Sequence, residues 1–204
     1  MTYYKVLNLD GTYYHGGHGQ WSLPHDGIPG EWMPILDNVV ACKRGYHICK
    51  RGQLVQWLGP AIYEVEWLGE IIEQSDKCVV GQARLIRKLD TWNERIARLF
   101  ACDCADKALQ LIEYPDQRSL DAVRVARLFA AGEVSREKLA AASAAASAAA
   151  SAAARAAAWA AAWAAACAAA TDAAWAAAND AAYVAARAWQ TKMLFKYLEE
   201  ADHD

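Results

Sequence analysis

Apolar and polar residues alternate through the first 90 residues and then give way to three- and four-residue spacing. Tyr3-Tyr4-Lys5-Val6-Leu7 reads as an opening strand, closed by the Asp10-Gly11 turn signal. Tyr46-His47-Ile48-Cys49 is a second short strand, and Gln53 to Leu58 gives one or two helical turns before Gly59-Pro60. Ile62 to Leu68 alternates as a strand with one buried face should, and Cys78 to Ile86 is the closing strand. Between the first two strands, His15 through Pro34 reads as a long irregular loop carrying Trp21 and Trp32.

From Asp90 the period changes. Trp92, Ile96, Leu99, Phe100, Cys104, Ala108 and Leu111 fall near one helical face, and Pro115 ends that helix. Leu120, Val123, Ala126, Arg127 and Ala130 predict a second helix, stopped at Gly132, and Ser135 opens a third. Between Ala140 and Ala188, 34 of 49 residues are alanine, with every fourth position different. Alanine is the strongest helix former, so helix is expected throughout. A four-residue step overshoots the turn by about 40°, so the stripe of larger side chains winds round the helix. One helix from Ser135 to Glu199 would span roughly 98 Å, which predicts a break at Thr171-Asp172 or Asn179-Asp180 and an antiparallel pair of helices. Met193, Leu194 and Tyr197 restore an amphipathic texture near the end.

The expected architecture is α+β: a small mixed α/β domain over residues 1–90, then an all-α, Ala-rich helical bundle over residues 91–204. Composition supports the division, since 11 of the 12 glycines and four of the five prolines precede residue 91. A formal net charge of −3 argues against a general nucleic-acid binder. The N-terminus has no secretory pattern, and Arg155, Asp172, Asp180 and Arg187 interrupt the Ala tract, so no membrane span is expected. The six cysteines show no disulfide framework, and a cytoplasmic location follows as the expectation.

Candidate chemistry is sparse. Cys42-x4-His47-x-Cys49, with His15, His18 or His25 as a fourth ligand, would suit a structural zinc ion, but buried core cysteines explain the same residues more simply. No metal or other cofactor is therefore expected. His15-Gly16-Gly17-His18-Gly19 offers backbone amides to an anion without the spacing of a phosphate loop. Cys102 and Cys104 sit on different sides of a helix and read as packing residues. No nucleophilic or acid–base set assembles, so the chain is expected to be non-enzymatic. The candidate binding residues are His15, His18, Trp21, Trp32 and His47 in the first part and Arg155, Trp159, Trp163 and Trp175 in the Ala tract, Trp and Arg being favoured at binding hot spots.

Three resemblances carry functional expectations. The Tyr-Lys start, the box Cys42-Lys43-Arg44-Gly45-Tyr46-His47-Ile48-Cys49, the Glu64-Val65-Glu66 strand with Gly69-Glu70, and the segment Lys77 to Leu89 together resemble a module of bacteriophage and prophage proteins. Arg98-Leu99-Phe100-Ala101-Cys102-Asp103-Cys104-Ala105 and the Trp-bearing Ala tract resemble Ala-rich helical immunity proteins. The order Gly45-Tyr46-His47-Ile48, short helix, Tyr63-Glu64-Val65 is similar to that of an ADP-ribosyltransferase core. The first two imply a phage-encoded interaction protein that binds and neutralises a bacterial host protein, for defence evasion or toxin immunity. The third implies a small-molecule or nucleotide pocket, lined by Tyr3, His15, His47 and Glu64. An ice-binding rod ranks last, because the regular 11-residue Thr spacing is missing. A partly exposed Ala–Trp surface would also favour a homo-oligomer.

Overall fold

The computed structural model describes residues 1–110, 113–147 and 172–199, with side chains of the last stretch described from residue 183. Four antiparallel strands, β1 (Tyr3–Leu7), β2 (Tyr46–Lys50), β3 (Ala61–Glu73) and β4 (Cys78–Lys88), close into a barrel in the order β1-β2-β4-β3. This corrects the expected small mixed α/β domain. Alternation identifies each strand, but closure depends on length and bending. At 13 and 11 residues, β3 and β4 exceed the alternating runs read from sequence. Two register irregularities, at Glu64/Val65 and between Leu68 and Ile71, bend their pairing. Gly69, at φ +84°, sits inside the second one. The expected helical turns after β2 form one short 3-10 turn, Leu54–Gln56.

The barrel interior follows the two-residue period. Tyr3 and Leu7 of β1, Tyr46 and Ile48 of β2, Ala61, Tyr63 and Val65 of β3, and Cys78, Val80, Ala83 and Leu85 of β4 form one core. The segment around Gly30 to Leu36 runs along β4, its amides at Gly30, Met33 and Leu36 donating to the carbonyls of Leu85, Ala83 and Gly81, each at 2.9 Å. Gly30 is required there, since a Cβ would lie 2.0 Å from the Ser22 carbonyl oxygen.

Helix α1 (Glu94–Leu109) and helix α2 (Gln117–Ala130) follow. Asp116 caps α2 by accepting from the Arg118 amide at 2.8 Å. Helix α3 begins at residue 136 and is described to residue 147, its first turn held by Ser135, whose hydroxyl accepts from the Lys138 amide at 3.4 Å. Helix α4 (Asp172–Glu199) passes through Asn179-Asp180 without a break, which corrects one of the two expected interruptions. The other involves Thr171, outside the described residues.

The expected all-α bundle over residues 91–204 is also corrected. The chain divides into two compact units, and the barrel unit, Met1–Glu94, includes the segment from Arg187 onward. The second unit is Arg95–Ala186. Leu194, Phe195 and Leu198 explain the reassignment. Their spacing puts them on one face of α4, where all three are buried, with Phe195 edge-on to Tyr4 of β1 at 5.5 Å. Arg51 stacks on the Phe195 ring at 3.7 Å and pairs with Glu199, while the Thr91 hydroxyl donates to the Leu198 carbonyl at 3.2 Å. An alanine repeat offers little apolar area per residue, so the larger side chains near the end of α4 decide where it docks.

A basic cleft with a buried lysine

One position on β1 breaks the apolar rule of the interior. Lys5 stands between Tyr3 and Leu7 on the inward period and is only 7% exposed. Its ammonium donates to the His47 carbonyl at 2.9 Å and lies over the rings of Tyr13, at 4.9 Å, and Trp21, at 5.3 Å. Among the described residues no carboxylate contacts it. Burial pushes its pKa down to about 8, opposed by Cys49. The Cys49 thiol is pushed up to about 12 by burial, against the pull of Lys5, and its Sγ–H donates to the Tyr4 carbonyl. The indole N–H of Trp21 is buried without a well-formed partner among the described residues, although Trp21 opposes the rise that burial causes in the Tyr13 pKa.

Lys5 lines a cleft of about 590 Å³ that opens between β1, β2 and the glycine-rich loop. Lys43, Arg44 and Lys77 share its wall with His15, His18 and His47, and no Asp or Glu is among the described lining residues. The chain carries a net negative charge, so this concentration of one sign is local. Burial, then the charges of Lys5 and Lys77, hold the His47 imidazole below its ordinary pKa. Lys77 differs from Lys5. Asp76, 3.1 Å from its ammonium, raises its pKa and keeps it cationic.

The loop is held over the cleft by aromatic contacts. His15 Nε2 lies 2.6 Å from the Trp57 carbonyl, which places its proton on that nitrogen, and its ring meets Trp57 and Tyr14 edge-on at 5.3 and 4.7 Å. The Trp57 indole donates to the Asp76 carbonyl at 2.6 Å, and Lys77 lies 5.3 Å from that ring. Gly16, Gly17 and Gly19 have φ of +83°, +98° and +116°, which an L side chain rarely adopts.

The sequence-derived candidates divide sharply. His15, His18 and His47 come together in the cleft. Trp21 is core, 2% exposed and packed against Tyr13 and Tyr46. Trp32 lies under the Arg84 guanidinium at 4.6 Å and does not line the cleft. Arg155, Trp159 and Trp163 are outside the described residues, as is the side chain of Trp175. Of the pocket set Tyr3, His15, His47 and Glu64, only the two histidines meet. Tyr3 is in the barrel core, and Glu64 is engaged with Arg87 at 2.8 Å. Sequence reasoning missed Lys5, Arg44 and Lys77. The signal for Lys5 was present, as a charged residue flanked two places away by Tyr3 and Leu7.

Among the described residues, no group of three His, Cys, Asp or Glu side chains is placed to hold a metal, and no helix is long and apolar enough to cross a membrane. The Cys42 and Cys49 thiols have different settings: Cys42 is exposed, and Cys49 is buried. Comparison with known proteins returns no match, whether to a family model, to a curated protein or to a solved structure.

Proposed function

We propose that the barrel unit is a non-enzymatic binding module for a small anionic ligand, a carboxylate or phosphate held in the basic cleft. The observation that carries this is Lys5. A buried ammonium without a carboxylate partner is costly, and an anion entering the cleft would repay that cost. Lys43, Arg44 and Lys77 extend the same sign along the cleft wall, where they would draw anions in. The test is calorimetric titration of the full chain with inorganic pyrophosphate and adenosine 5′-monophosphate, with a neutral sugar as control. Salt-sensitive binding of an anion, weakened at least tenfold by Lys5→Met, is expected. Absence of binding by both anions at low salt would overturn the proposal.

A second function draws on different residues. Ile28 and Ile35, each 70% exposed, lie in the segment between β1 and β2 with exposed Val40. A protein partner that covered these side chains would remove their apolar area from water. They support the interaction-protein function, in which a bacterial protein is bound and neutralised. Replacing Ile28 and Ile35 by Ser should then abolish capture of that protein from host lysate without altering pyrophosphate binding.

A further inference from the structure

The cleft contains two buried or half-buried lysines in opposite electrostatic settings. Lys77 is kept cationic by Asp76. Lys5 has a carbonyl and two aromatic faces near its nitrogen but no carboxylate among the described residues, and its burial works against its charge. Such a split assigns roles, since a permanent cation holds an anion and an amine that loses its proton readily can attack a carbon. From the burial of Lys5 in the wall of a cleft that Lys43, Arg44 and Lys77 also line, we propose that Lys5 forms a reversible imine with an aldehyde or ketone carried on a small anionic ligand. This rests on the anion-binding function proposed above and narrows it to a carbonyl-bearing carboxylate or phosphate.

The Lys5 ammonium first gives up its proton, which leaves through the cleft. The amine lone pair then forms the N–C bond to the carbonyl carbon, both amine protons pass to the oxygen, and the C–O bond breaks to release water. The product is the imine, with no oxidant or reductant required, and hydrolysis reverses it. Lys77 and Arg44 hold the ligand's anionic group, and the His47 imidazole lines the same space, near enough to Lys5 for the ammonium to depress its protonation. Burial of Lys5, with the pKa it produces near 8, leaves a large share of the amine neutral at mildly alkaline pH. An ordinary lysine is almost wholly charged there.

The test uses glyoxylate, the smallest aldehyde with a carboxylate, on the full chain near pH 8. Cyanoborohydride traps any imine as a stable carboxymethyl-lysine, and peptide mapping locates it. Lys5 is expected to be trapped about tenfold faster than Lys43 or Lys77, the gain in neutral amine outweighing some loss of nucleophilicity. Pyrophosphate should protect it. Lys5→Arg, which keeps the charge, should lose the label, with a thermal melt confirming that it folds. If pyrophosphate binds the cleft while Lys5 is labelled no faster than the surface lysines, the imine is overturned and the anion site stands. If pyrophosphate does not bind, the anion site itself fails. The mapping in the unaltered chain decides the matter even where the variant does not fold.

Discussion

The two units differ in how they are held together. The barrel unit buries aromatic and branched side chains from every strand, with Leu7, Leu54, Ile62, Leu85 and Leu194 wholly enclosed. Among the described side chains of the helical unit, only Phe100, Cys102 and Val125 are buried apolar residues. What links α1 to α2 is largely polar. Arg127 reaches Asp103 at 2.6 Å and also bonds Asp106, and the Arg95 guanidinium donates to the Ala130 carbonyl at 3.2 Å. Alanine secures helix locally through propensity but contributes little burial, so local structure and tertiary stability are set by different residues. A site that needs fixed geometry is better supported by the barrel, and the basic cleft lies there.

The comparison can be tested most severely at Phe195. Its replacement by Ala should destabilise the barrel unit by about 3–5 kcal/mol, measured by denaturant unfolding, with amide exchange rising in β1 and β3. A loss confined to helical amides would mean that the end of α4 is not part of the barrel's core. Lys5→Met should act in the opposite direction. Removing the buried charge should stabilise the unit at pH 7 by as much as about 3 kcal/mol while weakening anion binding. The sign of the pH dependence follows from the depressed pKa. The folded chain binds the Lys5 proton more weakly than the unfolded chain, so its penalty is full below about 8 and gone above 10.5. Stability of the unaltered chain relative to Lys5→Met should therefore rise across that window, and a flat difference would mean that Lys5 is solvated. Arg127→Ala should cost about 1 kcal/mol and loosen only α1 and α2, because its ion pairs are partly exposed. Smallest of all, Glu66→Gln should alter stability by a few tenths of a kcal/mol, its pair with Arg84 lying on the outer surface.

Strands and helices were legible because each leaves a period in the chain. β1, β2, α1 and α2 fall within a few residues of the positions that alternation, Pro115 and Gly132 predict. Barrel closure was not legible. It depends on the irregular β3–β4 register, which no local pattern encodes. The docking of α4 was half visible. Leu194 was in the amphipathic set, but the buried stripe continues through Phe195 and Leu198 rather than Met193 and Tyr197, a rotation of roughly one residue. At the cleft, histidines and glycines announced themselves by type. Trp21 misled because an aromatic in an irregular loop suggests a surface, whereas here it plugs the barrel. Lys5 passed unnoticed because a lysine in a strand is usually assigned to the solvent face, and only its neighbours' burial reveals otherwise.

The barrel's first strand and the helix that covers it are separated by the whole of residues 95–186. During synthesis, roughly 90 residues must leave the ribosome between Glu94 and Arg187, a delay of about 5–20 s. Throughout that interval the Tyr4 face has no Phe195 to cover it. The nascent barrel would therefore present Tyr4 uncovered to chaperones, and a chain stalled within the Ala tract would keep it so. The last turns of α4 would thus act as a late-arriving seal on the first strand of the barrel.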